Sequence, residues 1–191
     1  ISDTISLTGF RGQFSTAGGF NGTFTGQVND AAVVDGTAVP VGGGTGFRVR
    51  SDNAGGVLAG AGIFAKGRGG SLQMMLRPTG EAKTYDGDAK IENFRVTDAP
   101  VLAELLGVIS VVGLLEQLNG QGIAFTDAQA TFRLAPDLVT IHEASAIGAS
   151  MGLSASGVYR TADRALSLTG TISPVYLLNG IGQIFTKRRE G

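Results

Sequence analysis

Asp98-Ala99-Pro100-Val101-Leu102-Ala103-Glu104-Leu105-Leu106-Gly107-Val108-Ile109-Ser110-Val111-Val112-Gly113-Leu114-Leu115-Glu116-Gln117-Leu118-Asn119-Gly120-Gln121-Gly122 is the one long stretch of this chain that reads as helix. Asp98 suits an N-cap, and Pro100 falls in the first turn, where its missing N–H costs nothing. One straight helix would set Glu116 inside the stripe formed by Leu105, Ile109 and Val112. Gly107 and Gly113 are natural break points. The spacing therefore predicts a bent hairpin of two pieces, 99–107 and 110–118, ended by Asn119-Gly120. Burying about eight of its aliphatic side chains, at roughly 1.5–3 kcal/mol each, would be a large share of a domain's stability. The segment must therefore cover another apolar surface.

On either side the chain reads as short strands punctuated by glycine. Ahead of the segment, Thr4–Thr8 alternates, and Phe20, Phe24 and Val28 fall in phase on one face. Ala31–Val34 reads as a strand closed by a turn at Asp35-Gly36, and 40–46 reads as a loop. Phe47–Arg50 alternates, Val57–Phe64 reads as a glycine-diluted strand, and 66–70 reads as a loop. Leu72, Met74 and Leu76 oppose Gln73, Met75 and Arg77. A turn is expected at Asp86–Asp88, after which Phe94 and Val96 share a face. Beyond the segment, Phe132 and Leu134 point one way and Arg133 the other. The strands 138–145, 151–159 and 166–172 follow, and Pro174 opens a short apolar helix over 174–186. One polar and one apolar face is the mark of an antiparallel sheet wetted on one side.

The expected fold is mainly β: a curved, open antiparallel sheet, either a groove or a half-barrel. The bent apolar hairpin would pack on its apolar face, with a short C-terminal helix. The 191 residues are read as one module, with strands over 1–96, a helical insert over 98–120, strands over 123–173 and a helix over 174–186. A chain running from Ile1 to Lys187-Arg188-Arg189-Glu190-Gly191 reads as a piece excised from a longer one.

Composition narrows the function. Charged residues are 16% of the chain and glycine is 31 of 191, against usual values of roughly 25% and 7%. A net charge of −1 gives no electrostatic case for nucleic acid. The absence of cysteine excludes disulfides and thiolate chemistry without naming a compartment. His142 is the sole histidine, so an ordinary zinc site is not expected, and Glu143 would point to the opposite face of a strand. Gly60-Ala61-Gly62-Ile63-Phe64-Ala65 superficially fits a dinucleotide fingerprint, but a glycine-rich stretch follows where a helix should begin. Asp86 and Asp88 could pair or bind calcium, yet flanking Lys83 and Lys90 favour a plain turn. No enzyme and no cofactor is expected.

What remains is an apolar surface. The candidate wall is Leu72, Met74, Leu76, Phe94, Leu102, Leu105, Leu106, Ile109, Val112, Leu115, Phe132, Leu166 and Leu168. The residues leave two readings open: a binding or conduit surface for an apolar guest, or a structural, partner-binding β module whose helical segment is ordinary core.

The order of several short motifs resembles the AsmA-like superfamily of bacterial envelope proteins, in particular the C-terminal region of its YhdP-type members. The motifs are Gly87–Pro100 leading into Leu102–Leu106, then Leu118–Phe125, Gly148–Gly157, and Leu168–Ile181 with its Pro174-Val175-Tyr176-Leu177-Leu178-Asn179 core. The resemblance runs from about Gly46 onward. It departs at Gln183-Ile184-Phe185, where the family continues with an Ile-Pro-type segment and another strand. It implies a periplasmic module of a protein anchored in the inner membrane of a Gram-negative bacterium. Its groove would shield phospholipid or other acyl chains passing between inner and outer membranes. The implied partners are the lipid, the remaining segments of the parent chain and a membrane surface.

Overall fold

The computed structural model describes residues 5–42, 44–98, 104, 120–149, 151–163 and 165–174. Ten strands account for most of them: β1 (Leu7–Ser15), β2 (Asn21–Val28), β3 (Ala32–Val41), β4 (Gly44–Ser51), β5 (Gly67–Pro78), β6 (Tyr85–Val96), β7 (Ile123–Leu134), β8 (Leu138–Ile147), β9 (Met151–Arg160) and β10 (Leu166–Pro174). They form one antiparallel sheet in sequence order, open at β1 and β10 and not closed into a barrel. The expected one-sided antiparallel sheet is present. Of the hairpin over 98–120 only Asp98, Glu104 and Gly120 are described, and of the helix over 174–186 only Pro174, which ends β10 instead of opening a helix.

Five local expectations are corrected, the first being the loop over 40–46, since β3 runs to Val41 and β4 begins at Gly44. Val57–Phe64 is not a strand, because α1 (Ala54–Gly60) occupies that stretch and interrupts the strands expected over 1–96. Asn53 caps it, its side-chain oxygen accepting from the Gly56 N–H at 2.9 Å. Gly67–Gly70 is the start of β5, not a loop. Asp35-Gly36 lies inside β3, and Asp86-Gly87-Asp88 inside β6, because their glycines serve to admit a neighbouring side chain instead of turning the chain. Asp86 and Asp88 thus stand on one face of a strand.

α1 lies against β5, with further contact to β3 and β6, and covers one end of the apolar face. Its Asn29 anchor is specific. The Asn29 amide donates to the Gly60 carbonyl at 2.8 Å, while its Oδ1 accepts from the Ser6 N–H at 2.8 Å. Under this end sits the core of Ala54, Leu72, Phe94, Val96, Ile123, Phe125 and Met151, with Val57, Leu58 and Phe64 packed against it. Ile123 and Met151 are fully buried.

Phase changes keep that core together. Asn93 has φ 56°, and Gly69 and Gly70 have φ 63° and 79°, so β5 and β6 change phase in step. Leu72 and Phe94 consequently join one cluster. On β8 the register shifts between Ile141 and Ala144. The extra residue there lets both side chains face the same way, as a bulge does. His142 is therefore an exposed bulge residue.

Glycine lets the helix approach the sheet. A Cβ on Gly55 would stand 2.7 Å from the Gly67 carbonyl oxygen and 2.8 Å from Arg68 Cα, both backbone atoms. Gly→Ala inside a helix normally gains about 1 kcal/mol. Here overpacking, at about 1–3 kcal/mol, outweighs it. Gly55→Ala is expected to lower the unfolding free energy measured in a denaturant titration, and an increase would contradict this packing.

Candidate functional site

The register aligns two complete rows across the sheet. The first runs Phe14, Gly22, Ala38, Phe47, Leu76, Gly87, Phe132, Ile141, Gly157, Leu168. The second runs Gly12, Phe24, Gly36, Val49, Met74, Ala89, Ala130, Ala144, Ala155, Gly170. Neither contains a polar side chain. Partners directly opposite in an antiparallel pair lie on the same face, so both rows form one apolar surface. At about 4.8 Å between strands, ten strands span roughly 43 Å.

Among the thirteen candidate wall residues, Met74, Leu76 and Phe132 are half-buried on these rows and Leu168 is 47% exposed. Leu166 is on the same face of β10 and 58% exposed. Leu72 and Phe94 share the face but sit in the core beneath α1, at 5% and 8% exposure. Leu102, Leu105, Leu106, Ile109, Val112 and Leu115 lie outside the described residues.

The structure adds residues that the candidate wall lacked. Phe10, Phe14, Phe20 and Phe24 form an aromatic cluster at the β1–β2 edge, with ring centroids 5.1–6.5 Å apart. Phe10, Phe14 and Phe20 are each more than 40% exposed. The same-face spacing of Phe14 with Gly12 was visible in the sequence; the bulge between Thr8 and Arg11, which turns Phe10 inward, was not. Several rings lie over glycine on the adjacent strand: Phe24 over Gly36, Phe132 over Gly87 and Phe94 over Gly67. Any side chain at those glycines would meet the ring. The rings therefore lie against the backbone instead of standing off it, an arrangement that shields the glycine strands.

The other face is a lattice of charge. Arg77 Nη1 is 2.6 Å from Asp88 Oδ2, Arg133 Nε donates to Asp86 at 2.8 Å, and Lys90 lies between Glu92 at 2.6 Å and Asp127 at 3.3 Å. The Arg133 hydrogen bond holds the Asp86 carboxyl below its ordinary range, and hydrogen bonds to Glu92 and then Asp127 raise the Lys90 ammonium. A hollow of about 450 Å³ lies on this polar face, lined by Arg48, Arg50, Gln73, Asp88, Glu143 and others. Met74, Ala89 and Ala130 of the second row also border it. Among the described residues, no group of three His, Cys, Asp or Glu could hold a metal ion. Gly60 ends α1 and Ala61–Ala65 follow it instead of opening a helix, so no dinucleotide turn forms there.

Comparison with family models, with curated proteins and with solved structures finds no match.

Two outcomes separate core from open surface. Leu72→Ala should cost about 2–5 kcal/mol in chemical denaturation, as a buried truncation does. Leu168→Ser, compared at a dilution where the chain is monomeric, should stay within about 0.5 kcal/mol, as an exposed one does. On the polar face, the Asp86 carboxyl is lowered in the folded state, so its contribution is present at neutral pH and lost as pH falls through its lowered value. Asp86→Asn should reduce the loss of melting temperature below the ordinary carboxylate range, with no change in its slope near pH 7.

Proposed function

We propose that this chain is a non-catalytic module whose apolar face receives the acyl chains of a lipid. The observation that carries the reading is the pair of uninterrupted apolar rows crossing all ten strands. A protein needs only one such layer if the face is to be core, and core side chains are normally closed over. Here the large apolar residues Phe10, Phe14, Phe20, Leu166 and Leu168 stay exposed at both margins of the sheet. Large apolar side chains left exposed at the ends of such rows favour a binding surface.

The dimensions suit an extended hydrocarbon guest. Roughly 43 Å of continuous apolar width exceeds an acyl chain's length, so a guest lying across the strands stays in contact with side chains throughout. The small side chains Ala89, Ala130, Ala144 and Ala155 form a lower strip beside the bulkier Leu76, Phe132 and Ile141. No charged atom need be stripped of water when a chain settles there, and burial stabilises by about 25 cal/mol per Å² of apolar surface. The resemblance to AsmA-like envelope proteins supports the same reading. On it, the sheet is a curved groove segment in the periplasm. It belongs to a parent chain anchored in the inner membrane and carries phospholipid between the two membranes.

The sequence has no tryptophan, so Phe132→Trp would place a single fluorescent reporter on the apolar face. Phosphatidylcholine brominated along its acyl chains should quench that emission, and Leu76→Asp, two strands away on the same row, should weaken the quenching several-fold. The protein purified from a bacterial host should also carry phospholipid in native mass spectrometry. Emission indifferent to brominated lipid, together with lipid-free protein, would rule the proposal out.

A further inference from the structure

Among the described residues, the two edges of the sheet are built differently. β1 is broken by a register shift between Thr8 and Arg11, carries Gly9 at φ 57°, and includes the charged Arg11. Bulges and charges are the usual protection of an edge against unwanted pairing. β10 has neither. Its nine pairs with β9, from Leu166↔Tyr159 to Pro174↔Met151, run without a shift. Leu166-Ser167-Leu168-Thr169-Gly170-Thr171-Ile172-Ser173 holds no charge and no proline. From these differences we infer that β10 is a pairing edge for a second copy of this chain, joined antiparallel about a two-fold axis at Thr169.

The hydrogen-bond phase is compatible with that axis. Arg160 N–H donates to the Ala165 carbonyl at 2.9 Å, so residues 160 and 165 form a hydrogen-bonded pair. Hydrogen-bonded and non-hydrogen-bonded pairs alternate along an antiparallel ladder. Ser167, Thr169 and Thr171 therefore turn their backbone groups toward β9. Leu166, Leu168, Gly170 and Ile172 turn theirs outward. An axis at Thr169 sets Leu166 opposite Ile172 of the second copy and Leu168 opposite Gly170. Each outward donor then meets an acceptor, and Pro174, which lacks an N–H, stays outside the paired segment.

Side chains agree with the same axis. On the apolar face Leu166 meets Ile172 and the two Leu168 side chains lie diagonally across the axis. On the polar face Thr169 meets Thr169, and Ser167 meets Thr171. Hydroxyl pairs and aliphatic pairs are both favourable across strands, whereas like charges facing each other are not. A two-fold axis always brings a residue near its own copy, so the absence of charge on β10 is what permits self-pairing. The apolar rows would continue unbroken into the second sheet. This inference stands without any lipid cargo.

The chain has no cysteine, so any introduced thiol can link only to another molecule. Thr169 would face its own copy as a non-hydrogen-bonded pair with Cα atoms about 4.5 Å apart, within the disulfide range of roughly 4.4–6.8 Å. Ser167 would lie roughly 14 Å from its own copy, at about 3.4 Å per residue. The full 191-residue chain should therefore sediment as a concentration-dependent dimer. Thr169→Cys should form a disulfide-linked dimer on mild oxidation at least tenfold faster than Ser167→Cys or Thr171→Cys. Leu168→Lys should give a folded monomer by circular dichroism and sedimentation. A wild-type chain that stays monomeric at high concentration, equal linking rates at the three positions, or a dimer that survives Leu168→Lys would each overturn the inference.

Discussion

Everything in this sheet depends on the pleat staying in phase. Side chains alternate across a strand with a period of two, so a single slipped residue would turn a greasy row toward water. Ten strands offer many chances for such a slip. The chain absorbs them where they occur: the shift between Ile141 and Ala144 takes up one residue of β8, and left-handed Asn93 with Gly69 and Gly70 reverses β5 and β6 together. His142, the one histidine and the first place to look for chemistry, is part of that correction. It keeps aliphatic neighbours on one side.

The stabilising layer is thin. α1 closes only one end of the apolar face, and the dense core of Leu72, Phe94, Val96, Ile123, Phe125 and Met151 is confined there. Elsewhere the sheet has no second layer among the described residues. Its apolar side chains are satisfied laterally, by phenylalanine rings lying over glycine and by the four-ring cluster of Phe10, Phe14, Phe20 and Phe24. Glycine, often a weakness in strands, here provides the recess that a ring fills. The charge pairs on the opposite face are exposed and organise that surface more than they stabilise it.

The fold class was legible because strict alternation needs no tertiary information. Leu72, Met74 and Leu76 against Gln73 and Arg77, or Phe132 and Leu134 against Arg133, announce a one-sided sheet. What failed was the reading of glycine. Asp35-Gly36 and Asp86-Gly87-Asp88 carry turn chemistry, yet their glycines accommodate Phe24 and Phe132 from the next strand. Only the register shows that. The Ala54–Gly60 helix was hidden for the opposite reason. Its glycines are poor helix formers, and it exists because Asn53 caps it, Asn29 holds its end and β5 accepts its small face. The division of the wall candidates into buried Leu72 and Phe94 and exposed Leu166 and Leu168 could not be read at all, since alternation gives a face and says nothing of what covers it.

Sequence order and spatial order coincide throughout this sheet. Each strand touches the one before and the one after, and pairing across longer separations is absent among the described strands. Such a molecule is nearly one-dimensional, like a zipper whose teeth engage in turn. Loop closure is cheap at every step, and loosening starts from the outermost strands while the middle stays fastened. Evolution can also lengthen or shorten a structure of this type by whole hairpins, because no distant contact records how many there were.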